Sequence, residues 1–245
     1  MFKKFIKKAA LMLGAVLLAT SIPVSTQAKP KELSKSVKVG DTVYFGKYEQ
    51  DGNTKNGKEK IEWQVLDKKD GKALLVSKKV LDAQPYNKEW KGITWEKCTL
   101  RKWLNNDFIK EAFNAKESKK IQKSKIKNKD NKEYGTKGGK DTTDKVFLLS
   151  IDEANKYYKT DEKRTAEITD YGIKRIAKVL DRTEKDLKKD SEWFGESNNM
   201  WYWLRSPGFD QLCAAYVDFV GSVSEDGNFV SLDYLGVRPA LWVNL

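Results

Sequence analysis

From Trp201 to the C-terminus the chain offers only short apolar stretches, each cut off by a turn signal: Pro207-Gly208, Gly221-Ser222, Asp226-Gly227, then Gly236. Stretches this short do not sustain a helix, whereas alternating residues between Gly- and Asp-containing turns suit strands. The last third therefore reads as β throughout. Upstream the period changes. "TLRKWLNNDFIKEAF" (99–113) puts Leu100, Trp103, Leu104, Phe108 and Ala112 on one face of an amphipathic helix, with Thr99 as its N-cap. Ser150 and Glu153 form a capping-box pattern opening a short helix through Tyr158. Residues 169–189 carry a stripe of Ile173, Ile176, Ala177, Leu180 and Leu187, and read as one helix. A strand at 37–50 and a hairpin around Asp70-Gly71 come before them. The expected fold class is α+β, with mixed antiparallel sheets, two or three helices and a β-rich C-terminal third.

The first 28 residues stand apart from this pattern. Lys3, Lys4, Lys7 and Lys8 form a basic start, and "AALMLGAVLLA" follows as an apolar run short of the ~20 residues that a membrane span needs. Thr26 and Ala28 then supply the small residues of a cleavage site. The expectation is a Gram-positive signal peptide, 1–28, cleaved after Ala28, and a secreted protein. A polar leader, 29–36, then precedes a single domain over 37–245.

Without those four lysines the net charge falls from +12 to +8. Much of the remainder belongs to 116–145, where eleven lysines face five acids. This stretch reads as a solvated, mobile loop, with at most peripheral contact to an anionic wall or membrane surface. Its single aromatic, Tyr134, gives no stacking ladder, so nucleic acid is not an expected partner. Histidine is absent from the chain, which removes Ser-His and Cys-His nucleophiles and histidine-ligated metals. Two cysteines, Cys98 and Cys213, are read either as a disulfide of an exported protein or as two buried thiols.

Taken in order, "IEWQVL", "TLRKWLNNDF", "DTTDKVFLLSIDEA", "WLRSPG" and "GVRPALWVNL" resemble an uncharacterised domain-of-unknown-function family of secreted and surface proteins of Firmicutes, over residues 39–245. That family is similar to the C-type-lectin-like fold shared by formylglycine-generating enzymes and the binding proteins of retroelements. The resemblance implies that the Trp-Leu-Arg-Ser and terminal Gly-Val-Arg segments lie near a ligand face. It brings no established activity. The copper chemistry of formylglycine-generating enzymes needs two closely spaced cysteines, and the iron chemistry of their relatives needs histidine; neither pattern is present. The lectin calcium tripeptides are also absent, with "QPY" at 84–86 the nearest approach. No cofactor is expected, apart from calcium as a minor alternative at Asp218, Glu225, Asp226, Asn228 and Asp233, hard oxygen donors whose Asp226-Gly227-Asn228 run equally suits a turn.

What is left is a surface. Ala215, Val217 and Phe219 alternate inward, which turns Tyr216 and Asp218 outward, where Ser231, Asp233 and Tyr234 can join them with Trp201 and Tyr202 as aromatic neighbours. Tyrosine among short polar residues is the composition of adaptable binding faces. The expected function is a secreted, non-catalytic binding module for an extracellular protein, glycan or wall polymer. The alternative is a hydrolase of such polymers working through two carboxylates. Trp203, Arg205 and Arg238 are read as structural, because an arginine in a strand covered on both sides needs carbonyl or carboxylate partners.

Overall fold

Asp70 and Gly71 both take positive φ, 51° and 71°, which is what a two-residue hairpin needs to match the twist of its strands. They join β3 (Glu59–Lys69) to β4 (Lys72–Ser77) in a computed structural model that describes residues 29–190, 194 and 198–245. The expected signal peptide and its cleavage point lie outside these residues. β2 (Thr42–Tyr48) pairs with the other edge of β3, and β1 (Lys31–Glu32) runs parallel to β2. The last strand, β13 (Ala240–Asn244), returns antiparallel to β4, and β8 (Val146–Phe147) completes the order β1-β2-β3-β4-β13-β8. A second sheet has the order β11 (Val223–Phe229), β10 (Cys213–Val217), β9 (Tyr202–Pro207), β12 (Gly236–Val237), β5 (Asp82–Ala83), antiparallel except between β9 and β12. A ribbon of β6 (Ser124–Ile126) and β7 (Thr142–Asp144) stands alone.

The chain is thus mixed α+β, with six helical segments among the described residues, more than the two or three expected. None of them is long and apolar enough to cross a membrane. α1 (Thr99–Trp103) runs through a π-helical turn (Leu104–Phe108) into α2 (Ile109–Ala112), and Leu100, Leu104, Phe108 and Ala112 are buried as their spacing predicts. Its cap differs from expectation. Cys98 Sγ accepts the Arg101 N–H at 3.4 Å, and the Thr99 hydroxyl accepts the Lys88 N–H at 3.0 Å instead. α3 (Ala115–Lys120) and α5 (Asp161–Arg164) are short. α4 (Ile151–Tyr157) opens on the Ser150/Glu153 capping box. The single helix expected over 169–189 is two, α6 (Asp170–Val179) and α7 (Glu184–Lys189). Asp181, at φ 51°, ends the first, and the Thr183 hydroxyl accepts the Asp186 N–H to start the second.

One hydrophobic core joins both sheets and the helices, running from Val43, Trp63 and Leu75 to Trp203, Ala215, Phe108 and Ile176. β9 is buried along its entire length, so Trp203 and Arg205 are interior residues. Arg205 donates to the carbonyls of Leu148 (2.7 Å) and Lys127 (3.2 Å) and pairs with Glu153. Arg238 donates to the carbonyls of Ser77 (3.0 Å) and Arg164 (2.9 Å) and to the hydroxyls of Tyr202 and Tyr158.

Of the two readings of the cysteines, the structure has the buried thiols and not the disulfide: Cys98 and Cys213 are free and lie on separate elements. Burial raises the Cys98 thiol to about 12 and the Cys213 thiol to about 11, far from the range of a nucleophile. The lysine-rich stretch 116–145 is not the solvated loop expected. It contains α3, the β6–β7 ribbon and buried Asn128, Asn131, Thr142 and Asp144, while its lysines point outward. Asp144 accepts from Trp95 Nε1 (3.0 Å), Arg101 Nε (2.7 Å) and Thr142 Oγ1 (2.7 Å), fixing the ribbon to α1.

Candidate functional site

Pro207-Gly208 ends β9 where the backbone of 226 passes so close that a Cβ on Gly208 would stand 2.3 Å from the Asp226 carbonyl. Phe209 N–H then donates to that carbonyl at 2.7 Å, so the turn after β9 is tied to the β10–β11 hairpin. Other loops converge on it. Ile93 N–H donates to Gln211 O (2.9 Å), Thr136 Oγ1 donates to Phe209 O (2.7 Å), and Gln211 Nε2 donates to Lys137 O (3.1 Å). The buried Asn131 amide donates to Pro207 O (2.9 Å) and Glu225 O (2.8 Å), while its oxygen accepts from the N–H groups of Glu133 and Tyr134. Asn87 plays the same part for the 88–93 loop: its N–H reaches Val230 O, its amide donates to Glu89 O, and its Oδ1 accepts from Thr99 N.

These tied loops and the end of β11 present every exposed aromatic side chain among the described residues: Trp90 (67% exposed), Tyr134 (48%), Phe209 (48%) and Phe229 (46%). They form two edge-to-face pairs. Trp90 and Phe229 have centroids 6.3 Å apart at 87°, and Tyr134 and Phe209 have centroids 6.5 Å apart at 72°. A groove of about 850 Å³ beside the Trp90 loop is lined by Glu89, Lys91, Arg101 and Asp141, among others. A smaller one of about 310 Å³, between the Asn131 loop and the start of α4, includes Asp130, Lys132 and Glu225. Four exposed aromatics thus lie beside polar grooves: Glu89 and Lys91, which flank Trp90, line the larger, and Glu133, which precedes Tyr134, lines the smaller.

The residues singled out from sequence lie elsewhere and do not gather into one place. Tyr216 and Asp218 sit at the 218–222 end of the β10–β11 hairpin, whereas Ser231, Asp233 and Tyr234 follow the far end of β11. Trp201 stacks on Tyr216 (5.5 Å, 27°) and Phe219 (6.1 Å, 12°), making a half-buried aromatic shelf. Tyr202 is a core residue: its hydroxyl donates to Arg164 O at 2.6 Å and accepts from Arg238. The Asp218 carboxylate accepts from Val220 N and Ser222 N, capping its own turn, and Asp226 Oδ1 accepts from Gly227 N and the Ser224 hydroxyl. Neither is aimed at a shared point. The one group of three potential anionic ligands among the described residues is Glu49 and Asp51, on the connection after β2, and Glu59, the first residue of β3. As the acid pair of a hydrolase this group is poorly arranged, since both Asp51 oxygens are held, by Asn53 N and Asn56 Nδ2, each at 2.7 Å.

A family description matches residues 70–245, from the β3–β4 turn through the last strand and including all four exposed aromatics: Domain of unknown function (DUF6273). The chain belongs to this family. None of the curated proteins and none of the solved structures matches it. The DUF6273 segment thus holds the whole aromatic surface, while the Glu49 cluster precedes it.

Three of the four aromatics were legible in principle; Phe229, which ends β11, is followed by Val230. Trp90 stands in Lys-Glu-Trp-Lys-Gly, Tyr134 in Lys-Glu-Tyr-Gly and Phe209 in Gly-Phe-Asp-Gln, with no aliphatic residue within two positions. An aromatic without apolar neighbours belongs to neither a helical stripe nor an alternating strand, so nothing local draws it inward.

Proposed function

We propose that the protein is a secreted, non-catalytic binding module with a C-type-lectin-like fold, and that its aromatic end binds an extracellular glycan of the wall-polymer type. The observation behind this reading is the exposure of Trp90, Tyr134 and Phe209 on loops held by buried Asn87 and Asn131, with Phe229 at the end of β11 packed against Trp90. Flat rings offer apolar area to the C–H faces of sugar rings. The adjoining carboxylates, amides and lysines can bond hydroxyls, the usual division of labour in a small-ligand site. Two ring pairs with polar grooves beside them suit a chain of sugar units better than a continuous apolar interface between proteins does. The fold assignment draws on the return of β13 to the N-terminal sheet, with the second sheet contributed by the intervening chain.

Pull-down of the purified protein on insoluble wall polysaccharide, chitin and cellulose tests the reading. Trp90→Ala and Phe209→Ala are each expected to lower retention about tenfold, the loss of a contact worth ~1.4 kcal/mol. Retention is expected to survive about 0.5 M NaCl, which screens lysine-driven attachment to an anionic surface. Equal retention of both variants would remove the aromatic end as the site. Loss in a Tyr216→Ala/Tyr234→Ala double variant instead would move it to the β10–β11 strands.

A further inference from the structure

The stretch from β2 into β3 reads Glu49-Gln-Asp-Gly-Asn-Thr-Lys-Asn-Gly-Lys-Glu59, and its three carboxylates turn towards one another. One oxygen from each lies within 4.8 Å of the other two. Ligands on opposite sides of a calcium ion, bound at about 2.3–2.6 Å, lie about 5 Å apart, so a single ion can touch all three.

Charge makes this arrangement hard to explain as scaffolding. The chain has a net charge of +12, yet no ion pair among the described residues involves Glu49, Asp51 or Glu59. Three neighbouring lysines are engaged elsewhere: Lys58 with Glu111, Lys60 with Glu32, and Lys174 with the Gly52 carbonyl at 3.0 Å. Glu49 is only 5% exposed, and its Oε1 is buried without a hydrogen-bond partner. A buried carboxylate oxygen that accepts nothing is costly, and two neighbouring like charges add to that cost.

The rest of the loop is built to hold the three in place. Gln50 N–H and Asp51 N–H donate to Glu59 Oε2 at 2.7 and 3.3 Å, and Asn53 and Asn56 fix Asp51. Tyr171 N–H, in α6, donates to Gln50 O at 2.9 Å and anchors the loop to the domain. Asp51 and Glu59 line a cleft of about 1000 Å³, so the outer side of the cluster is open to water or a ligand.

We infer that Glu49, Asp51 and Glu59 form a binding site for a hard divalent cation, calcium. The donors are all oxygens, with no sulfur or nitrogen to favour zinc or copper, and calcium accepts six to eight oxygens in irregular geometry, completed here by water. This site is independent of the glycan surface. It lies on a different loop and outside the segment matched by the family.

The test is thermal unfolding of the full chain, first stripped with EDTA and then titrated with CaCl2 or MgCl2. Calcium is expected to raise the Tm saturably and EDTA to reverse the rise. At ten times Kd the shift is expected to be about 3 to 6 °C, with Kd near the 10⁻⁴–10⁻³ M typical of such modules. Glu49→Gln is expected to give opposite signs in the two conditions: a Tm above the native chain's in EDTA, because repulsion is relieved, and a calcium response at least tenfold weaker. Asp51→Asn, at an exposed position that keeps one of its two acceptor oxygens, is expected to lose the response while folding normally. A flat calcium titration to about 10 mM, or an undiminished response in both variants, overturns the inference. An equal response to magnesium overturns the assignment to calcium.

Discussion

Arg238 is 4% exposed and, among the described residues, has no carboxylate partner; its charge is spread over two carbonyls, two phenol oxygens and two aromatic faces. The Tyr158 and Tyr202 ring centroids lie 5.3 and 5.1 Å from its guanidinium carbon, so the group lies over both rings as well as being hydrogen-bonded. Only a planar fork of donors satisfies that set, and an ammonium reaches fewer acceptors from a single point. Arg238→Lys is therefore expected to destabilise the fold by about 1–3 kcal/mol through orphaned buried acceptors. This would be measured as a shift in urea midpoint at unchanged m. A shift below about 0.5 kcal/mol, the size of an ordinary surface change, would show that the fork is dispensable. Interior arginines of this kind can be read from sequence because they interrupt apolar runs. Trp90 could be found only by asking why an aromatic stands among lysines and glutamates.

At the scale of elements, the lysine-rich stretch is where composition misleads. Eleven lysines over 116–145 count as solvent-loving charge, but the residues that fix its backbone are the few between them. Asn131 makes the most telling contacts, bridging the 131–137 loop to both β9 and β11 through one amide. Native trypsin is expected to leave Lys127–Lys140 largely uncut despite the density of sites. Asn131→Ala is expected to cost roughly 2 kcal/mol locally and to raise cleavage there at least tenfold; peptide mapping by mass spectrometry reads both. Rapid cleavage of the unaltered chain would restore the mobile loop. The caps at Ser150 and Thr183 are local signals, and the sequence shows where those helices begin. The break at Asp181 depends on one left-handed residue within a stripe that otherwise continues, so periodicity passes over it. The partners of Asn131 and Asp144 are distant in sequence, and no local pattern announces them.

At the scale of the molecule, the six-stranded sheet brings together both ends of the described chain, β1 at one edge and β13 between β4 and β8. β13 pairs with β4 through Ala240↔Val76, Leu241↔Leu75 and Val243↔Ala73, while the other edge of β4 is covered by β3. The family match begins at residue 70, inside the β3–β4 hairpin, so β1, β2 and β3 belong to the same sheet as the matched segment without being part of the match. Those strands bury Val43, Phe45, Ile61, Trp63 and Val65 in the common core, and Trp63 Nε1 donates to Phe45 O at 2.6 Å. A chain cut to 70–245 would leave the backbone edge of β4 unpaired, next to a face stripped of an indole and four other large side chains. An open edge beside exposed apolar surface is the arrangement that drives association. The truncated chain is therefore expected to elute as oligomers in size-exclusion chromatography and to lose near-ultraviolet circular dichroism, while residues 29–245 give a cooperative monomer. A monomeric 70–245 fragment that unfolds cooperatively would show that the matched segment is a domain by itself. The β1–β3 layer, with the Glu49 loop at its turn, would then be an appended part of the molecule.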